Sequence, residues 1–143
     1  MYVAPNSTII LLENVPLDST YTDTALFTTK SGQATAFRNY TKYEFTAQSY
    51  QRVGRNKCRL QIPYNSVYGC NYMMFQNTSY GTKWWYAFID HCEYVNNATT
   101  EITYRLDPIQ NWITDWTLKP CFVERNHVTD DSIGANIVPE SVA

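Results

Sequence analysis

The sequence predicts a single domain of mainly β class with one or two short helices. Length is the first reason: 143 residues, 44% hydrophobic and 17% charged, supply one core and not two. Composition is the second. Aromatic residues make up 15% of the chain, twelve of them tyrosine, and threonine is frequent, which suits a pleated, half-buried surface. The third is period-two alternation of apolar and polar side chains in several segments, the spacing of a strand with one face buried.

Residues 7–15 read as an apolar first strand, closed by Pro16, which cannot donate to a sheet ladder. A polar stretch to about Lys30 follows, with Ser31-Gly32 as its turn. Over residues 41–53, Tyr43, Phe45 and Ala47 alternate with Glu44, Thr46 and Gln48, the pattern of a half-buried strand. Residues 54–56 form a turn, and residues 57–62 the next strand, with Cys58, Leu60 and Ile62 on one side. Pro63 ends that strand and opens one helical turn over residues 63–68, proline being tolerated at a first helical position. Gly69 lets the chain reverse into the apolar segment 71–76.

Residues 83–95 carry the strongest strand pattern. Trp84, Tyr86, Phe88, Cys92 and Tyr94 fall on one face, and Trp85, Ala87, Ile89 and Val95 on the other. With both faces apolar, this is a central strand or one covered by a neighbouring subunit. Asn96-Asn97 joins it to a strand over residues 99–106, where Ile102, Tyr104 and Leu106 alternate with Glu101, Thr103 and Arg105 in a long antiparallel hairpin. Asp107 then caps a short helix reaching Trp112, with Pro108 at its first position. A last strand over residues 116–126 runs past Pro120, and the polar tail 129–143, with Gly134 and Pro139, reads as a linker.

Several function classes fall away. Net charge is −2 with scattered Lys and Arg, so the chain lacks the basic footprint of a nucleic-acid-gripping surface. The N-terminus has no basic flank, and its apolar run over residues 9–12 is too short for a signal or a membrane span. Cys58, Cys70, Cys92 and Cys121 contain no CxxC pair and read as buried free thiols; an even count would also permit three disulfide pairings in an oxidising setting. Asp90-His91-Cys92 suggests a nucleophile, yet neighbouring strand residues point to opposite faces, so His91 does not serve Cys92 as a base. His127 with Asp130 and Asp131 reads as a solvated loop, because His91 lies far away in sequence. Motifs of phosphate binding, acyl transfer and zinc hydrolysis are absent, which leaves no catalytic residue, metal or cofactor to name. Trp84 and Trp85 with Tyr80 and Tyr86 would make a sugar-stacking platform only if the two indoles shared a face.

The run Asn71-Tyr-Met-Met-Phe-Gln-Asn-Thr-Ser-Tyr-Gly-Thr-Lys-Trp-Trp-Tyr-Ala-Phe, followed in order by Leu106-Asp-Pro-Ile-Gln-Asn-Trp112 and by Phe122-Val-Glu-Arg-Asn-His-Val128 with Asp130-Asp131, resembles the tail knob, or distal tail tube, proteins of small short-tailed phages infecting Gram-positive bacteria. The opening, with Asn14-Val-Pro-Leu and a Thr-rich stretch to Phe27, is similar too. The resemblance implies an antiparallel β-barrel or sandwich of the phage tail-tube type, set in a hexameric ring of the virion. Through that ring the phage genome passes into the host without specific binding, and other tail and collar proteins adjoin it. Because such proteins are several times longer, residues 1–128 would be an N-terminal tube domain and residues 129–143 a linker toward a missing C-terminal part. The family's membrane-active loops belong to that later part, so no membrane contact is expected from this fragment. Tyr72, Phe75, Tyr80, Gly81, Trp84, Trp85, Tyr86, Asp107, Pro108 and Trp112 stand out as structural or interface residues. The alternative reading is a carbohydrate-binding module for the bacterial wall.

Overall fold

The computed structural model describes residues 6–48, 56–79, 81–117, 119–120 and 132. Among these the elements run β1 (Ser7–Glu13), α1 (Lys30–Arg38), β2 (Thr41–Gln48), β3 (Lys57–Leu60), α2 (Tyr64–Val67), β4 (Cys70–Asn77), β5 (Trp85–Asn96), β6 (Thr99–Leu106) and α3 (Pro108–Trp112). All six strands join one antiparallel sheet in the order β2-β1-β4-β5-β6-β3. The two most apolar segments, β1 and β4, lie beside each other inside it, with Ile10, Leu11, Leu12, Tyr72, Met73 and Met74 removed from water on both faces.

The sheet is curled into a half-barrel, and this divides the core in two. On one face, residues from all six strands gather around Leu11, Met73, Ala87, Leu60 and Ile102, with Val67 of α2 closing one end. Phe75 and Tyr104 reach each other across β5, ring centroids 5.6 Å apart, where Ala87 leaves room. The opposite face, built on Ile10, Leu12, Tyr72, Met74, Tyr86 and Phe88, is covered by Phe37 of α1 and by Val15, Leu17, Tyr21 and Phe27 from the segment before it. The two-sided apolarity of the Trp84 to Ile89 stretch is therefore met largely within one chain.

Three helices form where one or two were expected. The Ser31-Gly32 turn is instead the first turn of α1: Thr29 is extended, and its Oγ1 accepts the Gly32 amide at 3.1 Å, which is an N-cap. Gln33 and Phe37, four residues apart, form the buried stripe of this helix. Pro63 takes the N-cap position of α2, one place earlier than expected.

Two bulges redirect side chains. In β2 the pairing steps from Ile9–Phe45 to Ser7–Gln48, the extra residue falls beside Ala47 with φ 54°, and Ala47 leaves the Tyr43 and Phe45 face. In β5 the pairing steps from Ile89–Tyr104 to His91–Thr103, so Asp90 is unpaired and Cys92 joins Ala87 and Ile89 rather than Tyr86 and Phe88. Residues 116, 117, 119 and 120 carry no strand; the rest of the expected last strand, and the boundary between residues 128 and 129, lie outside the described residues. Gly69 has φ 141°, and a Cβ there would collide with the Glu13 carboxylate that holds Lys42 at 2.6 Å, so the reversal into β4 requires glycine.

Candidate functional site

The start of α3 is the polar centre of the molecule. β6 delivers Asp107 to the inner end of the sheet, and Pro108 fixes the first helical backbone angle where an amide would have had no partner. Asp107 Oδ1 accepts the Gln110 amide at 3.0 Å, and Oδ2 accepts the Tyr72 hydroxyl at 2.8 Å. Asn111 pairs with the backbone of β5 like a short strand: its Oδ1 accepts the Tyr86 amide, and its Nδ2 donates to the Tyr86 carbonyl, both at 2.8 Å. Gln33 of α1 donates to the Gln110 carbonyl at 2.8 Å and to its side-chain oxygen at 2.9 Å, and Gln110 donates to the Ala25 carbonyl at 2.9 Å. α1, α3, β4 and β5 are thus tied at one buried point, and every buried side-chain nitrogen and oxygen among the described residues has a partner.

Aromatic packing surrounds this centre. Phe37 stacks on Tyr72 at 5.4 Å and tilts against Tyr86 at 4.9 Å, while Phe88 meets Tyr72 edge-on at 5.1 Å. Burial, and then the Asp107 charge, push the Tyr72 hydroxyl far above its ordinary pKa, so it remains a donor.

Tyr72, Tyr86 and Asp107 are interior residues of this chain. Trp84 and Trp85 part to opposite faces. Trp84 packs beside the α1 core under the Arg38 guanidinium at 5.2 Å, and Trp85 meets Trp112 edge-on at 5.8 Å. The two indoles consequently form no common platform. Phe75 is half-buried, Pro108 exposed, and Gly81 has φ 129° with open space where a Cβ would lie. Tyr80, Cys121, His127, Asp130 and Asp131 lie outside the described residues.

Cys58, Cys70 and Cys92 are free thiols. His91 faces away from Cys92, as strand geometry requires, and Asp90 is engaged by Arg105 at 3.1 Å. Among the described residues no cluster of His, Cys, Asp and Glu is arranged to hold a metal. Sequence reasoning missed Gln33, Phe37, Gln110 and Asn111. The local signal available for α1 was Thr29, a residue type suited to cap a helix.

The family model described as Caudoviral major tail protein N-terminus matches residues 5–117. The chain belongs to that family. The matched span takes in the whole sheet and all three helices of the described residues. Among individual relatives, the tail knob protein gp9 of Bacillus phage phi29 is 33% identical over 121 residues, that of Bacillus phage PZA 34% over 121, and that of Bacillus phage B103 29% over 120. Each alignment covers 82% of this chain and 20% of the relative, so the chain spans about a fifth of the length of these curated relatives. The structure of the bacteriophage C1 tail knob protein, gp12, matches with a TM-score of 0.61 at 21% identity, over 74% of this chain and 22% of that one, which shows a shared fold. The resemblance carried by residues 71–88 and 106–112 therefore holds, and the chain is a structural tail component of a phage virion.

Proposed function

We propose that this domain is one subunit of the distal tube, or knob, of a phage tail, repeated around a ring to form part of the conduit for genome ejection. The observation that carries the reading is the family match over residues 5–117, together with relatives named as tail knob proteins. The mechanism is passive. A hexameric ring is the arrangement proposed, other tail or collar proteins adjoin it, and the DNA slides past a domain whose net charge of −2 offers it no grip.

The domain has no enzymatic role in this reading: the two buried acids among the described residues are committed, Asp107 to a helix cap and a tyrosine and Glu101 to Lys57 and Arg59. The exposed apolar side chains Tyr94 and Val95, at the far end of the β5–β6 hairpin, are the proposed contacts between copies; 57% and 39% of their surfaces are exposed. Antibodies raised against the chain and carried on gold should label the distal end of the tail in electron micrographs of virions. Label confined to the capsid, or absent from intact and disrupted particles alike, would refute the assignment.

A further inference from the structure

We propose that Lys83, Trp85, Trp112, Asp115 and Lys30 form a latch that fixes the direction in which the chain leaves the sheet after α3. The inference rests on the reading above, in which the domain is a subunit of the tail tube or knob.

The buried anchors of α3 are Asp107, Gln110 and Asn111, and they stop short of its last residue. Beyond them Trp112 is only partly covered, and the chain turns, with the Asp115 amide donating to the Trp112 carbonyl at 2.8 Å. The turn brings the Asp115 carboxylate back over the domain. Its Oδ1 lies 2.8 Å from Lys30 Nζ at the start of α1, and its Oδ2 lies 3.7 Å from Lys83 Nζ at the entry to β5. The Lys83 ammonium also sits 4.8 Å from the centroids of both Trp85 and Trp112, whose rings meet at 80°. Two regions distant in sequence, the start of α1 and the entry to β5, therefore hold one short segment through Trp112 and Asp115.

Exposure identifies what this cluster contributes. The side chains of Lys83, Asp115 and Lys30 are 29%, 40% and 61% exposed, so solvent screens their attractions and they add little to the stability of the sheet. A lysine held between two indoles and a carboxylate nonetheless biases the segment toward one direction. The family match ends at residue 117, immediately beyond the latch, and the relatives are about five times as long as the aligned region. In a protein of that length, the path taken at this point sets how further sequence is placed relative to the sheet.

The test uses Lys83→Met, which keeps the aliphatic stem and removes the charge, Asp115→Asn, and Lys83→Arg as the conservative control. Chymotryptic cleavage after Trp112 and Trp116 is followed by mass spectrometry beside a thermal melt. Expected is at least ~threefold faster cleavage at those two sites in Lys83→Met and Asp115→Asn, with melting and cleavage elsewhere unchanged and near-parental rates in Lys83→Arg. Unchanged rates would overturn the proposal. So would acceleration throughout the chain with a lowered melting temperature, since the cluster would then be an ordinary stabiliser. The measurement reads a single domain, so a failure of the ring reading would leave its outcome intact.

Discussion

One oxygen of Asp107 accepts the Gln110 amide and the other accepts the Tyr72 hydroxyl, so the residue caps α3 and satisfies a phenol inside the sheet at once. Asp107→Ala should lower the unfolding free energy by roughly 2–4 kcal/mol, the loss of a cap plus a buried donor left without a partner. Tyr72→Phe keeps the cap and should cost less, about 1–2 kcal/mol. Urea unfolding of both variants checks the ordering; equal losses would mean that the cap adds nothing. The cysteines make a second residue-scale test. Burial is the main cause that pushes the Cys58 thiol up to about 12 and the Cys70 thiol up to about 11, so thiolate is scarce at neutral pH. A thiolate-seeking reagent should leave both unmodified in the native protein and label both in denaturant, as mass spectrometry would show. Rapid native labelling of either would contradict the packing described for that side chain.

At the scale of elements, β3 is the most lightly held strand, a four-residue edge paired only to β6. Glu101 of β6, with its side chain 7% exposed, receives Lys57 Nζ at 2.8 Å and Arg59 Nε at 2.9 Å from β3. Those two hydrogen bonds, Lys57 foremost, hold the Glu101 carboxyl below the usual range. A depressed carboxylate contributes stability above its unfolded pKa of about 4.3 and loses that contribution as pH falls through the lower folded value. Glu101→Gln should therefore melt below the parent at neutral pH, and the gap should narrow below about pH 4.3. A gap that stays constant with acidification would show that the ion pairs do not hold β3.

The same elements show what a sequence makes legible. Asp107-Pro108 announces the start of α3 because cap and first turn are local chemistry, and the apolar run of β1 and the alternation in β5 and β6 announce strands because those patterns are local too. α1 was hidden by its composition: its buried stripe is one glutamine and one phenylalanine, and the glutamine is buried only because Gln110 meets it from 77 residues away. The bulge at Asp90 was equally hidden, since one unpaired residue has no sequence mark and yet reverses the faces of the side chains from His91 to Tyr94, where the next register shift follows. Tyr72 and Asp107 were legible as important residues. Their partnership was not, because it exists only once β4 and β6 share a sheet.

At the scale of the whole molecule, the described residues close both sheet faces over β1, β4 and the first half of β5 with side chains of the same chain; β2 and β3 are the outermost strands among them, and Tyr94 and Val95 near the end of the β5–β6 hairpin are exposed. Such a unit suits a ring, in which a folded block repeats through contacts at its margins. The measurement that tests this most directly is class-averaged electron microscopy of the purified tail protein that carries this sequence. Closed rings with a central opening, and this domain repeated around it, are the result expected. Particles of one subunit without an opening, at concentrations where intact tails assemble, would contradict the account.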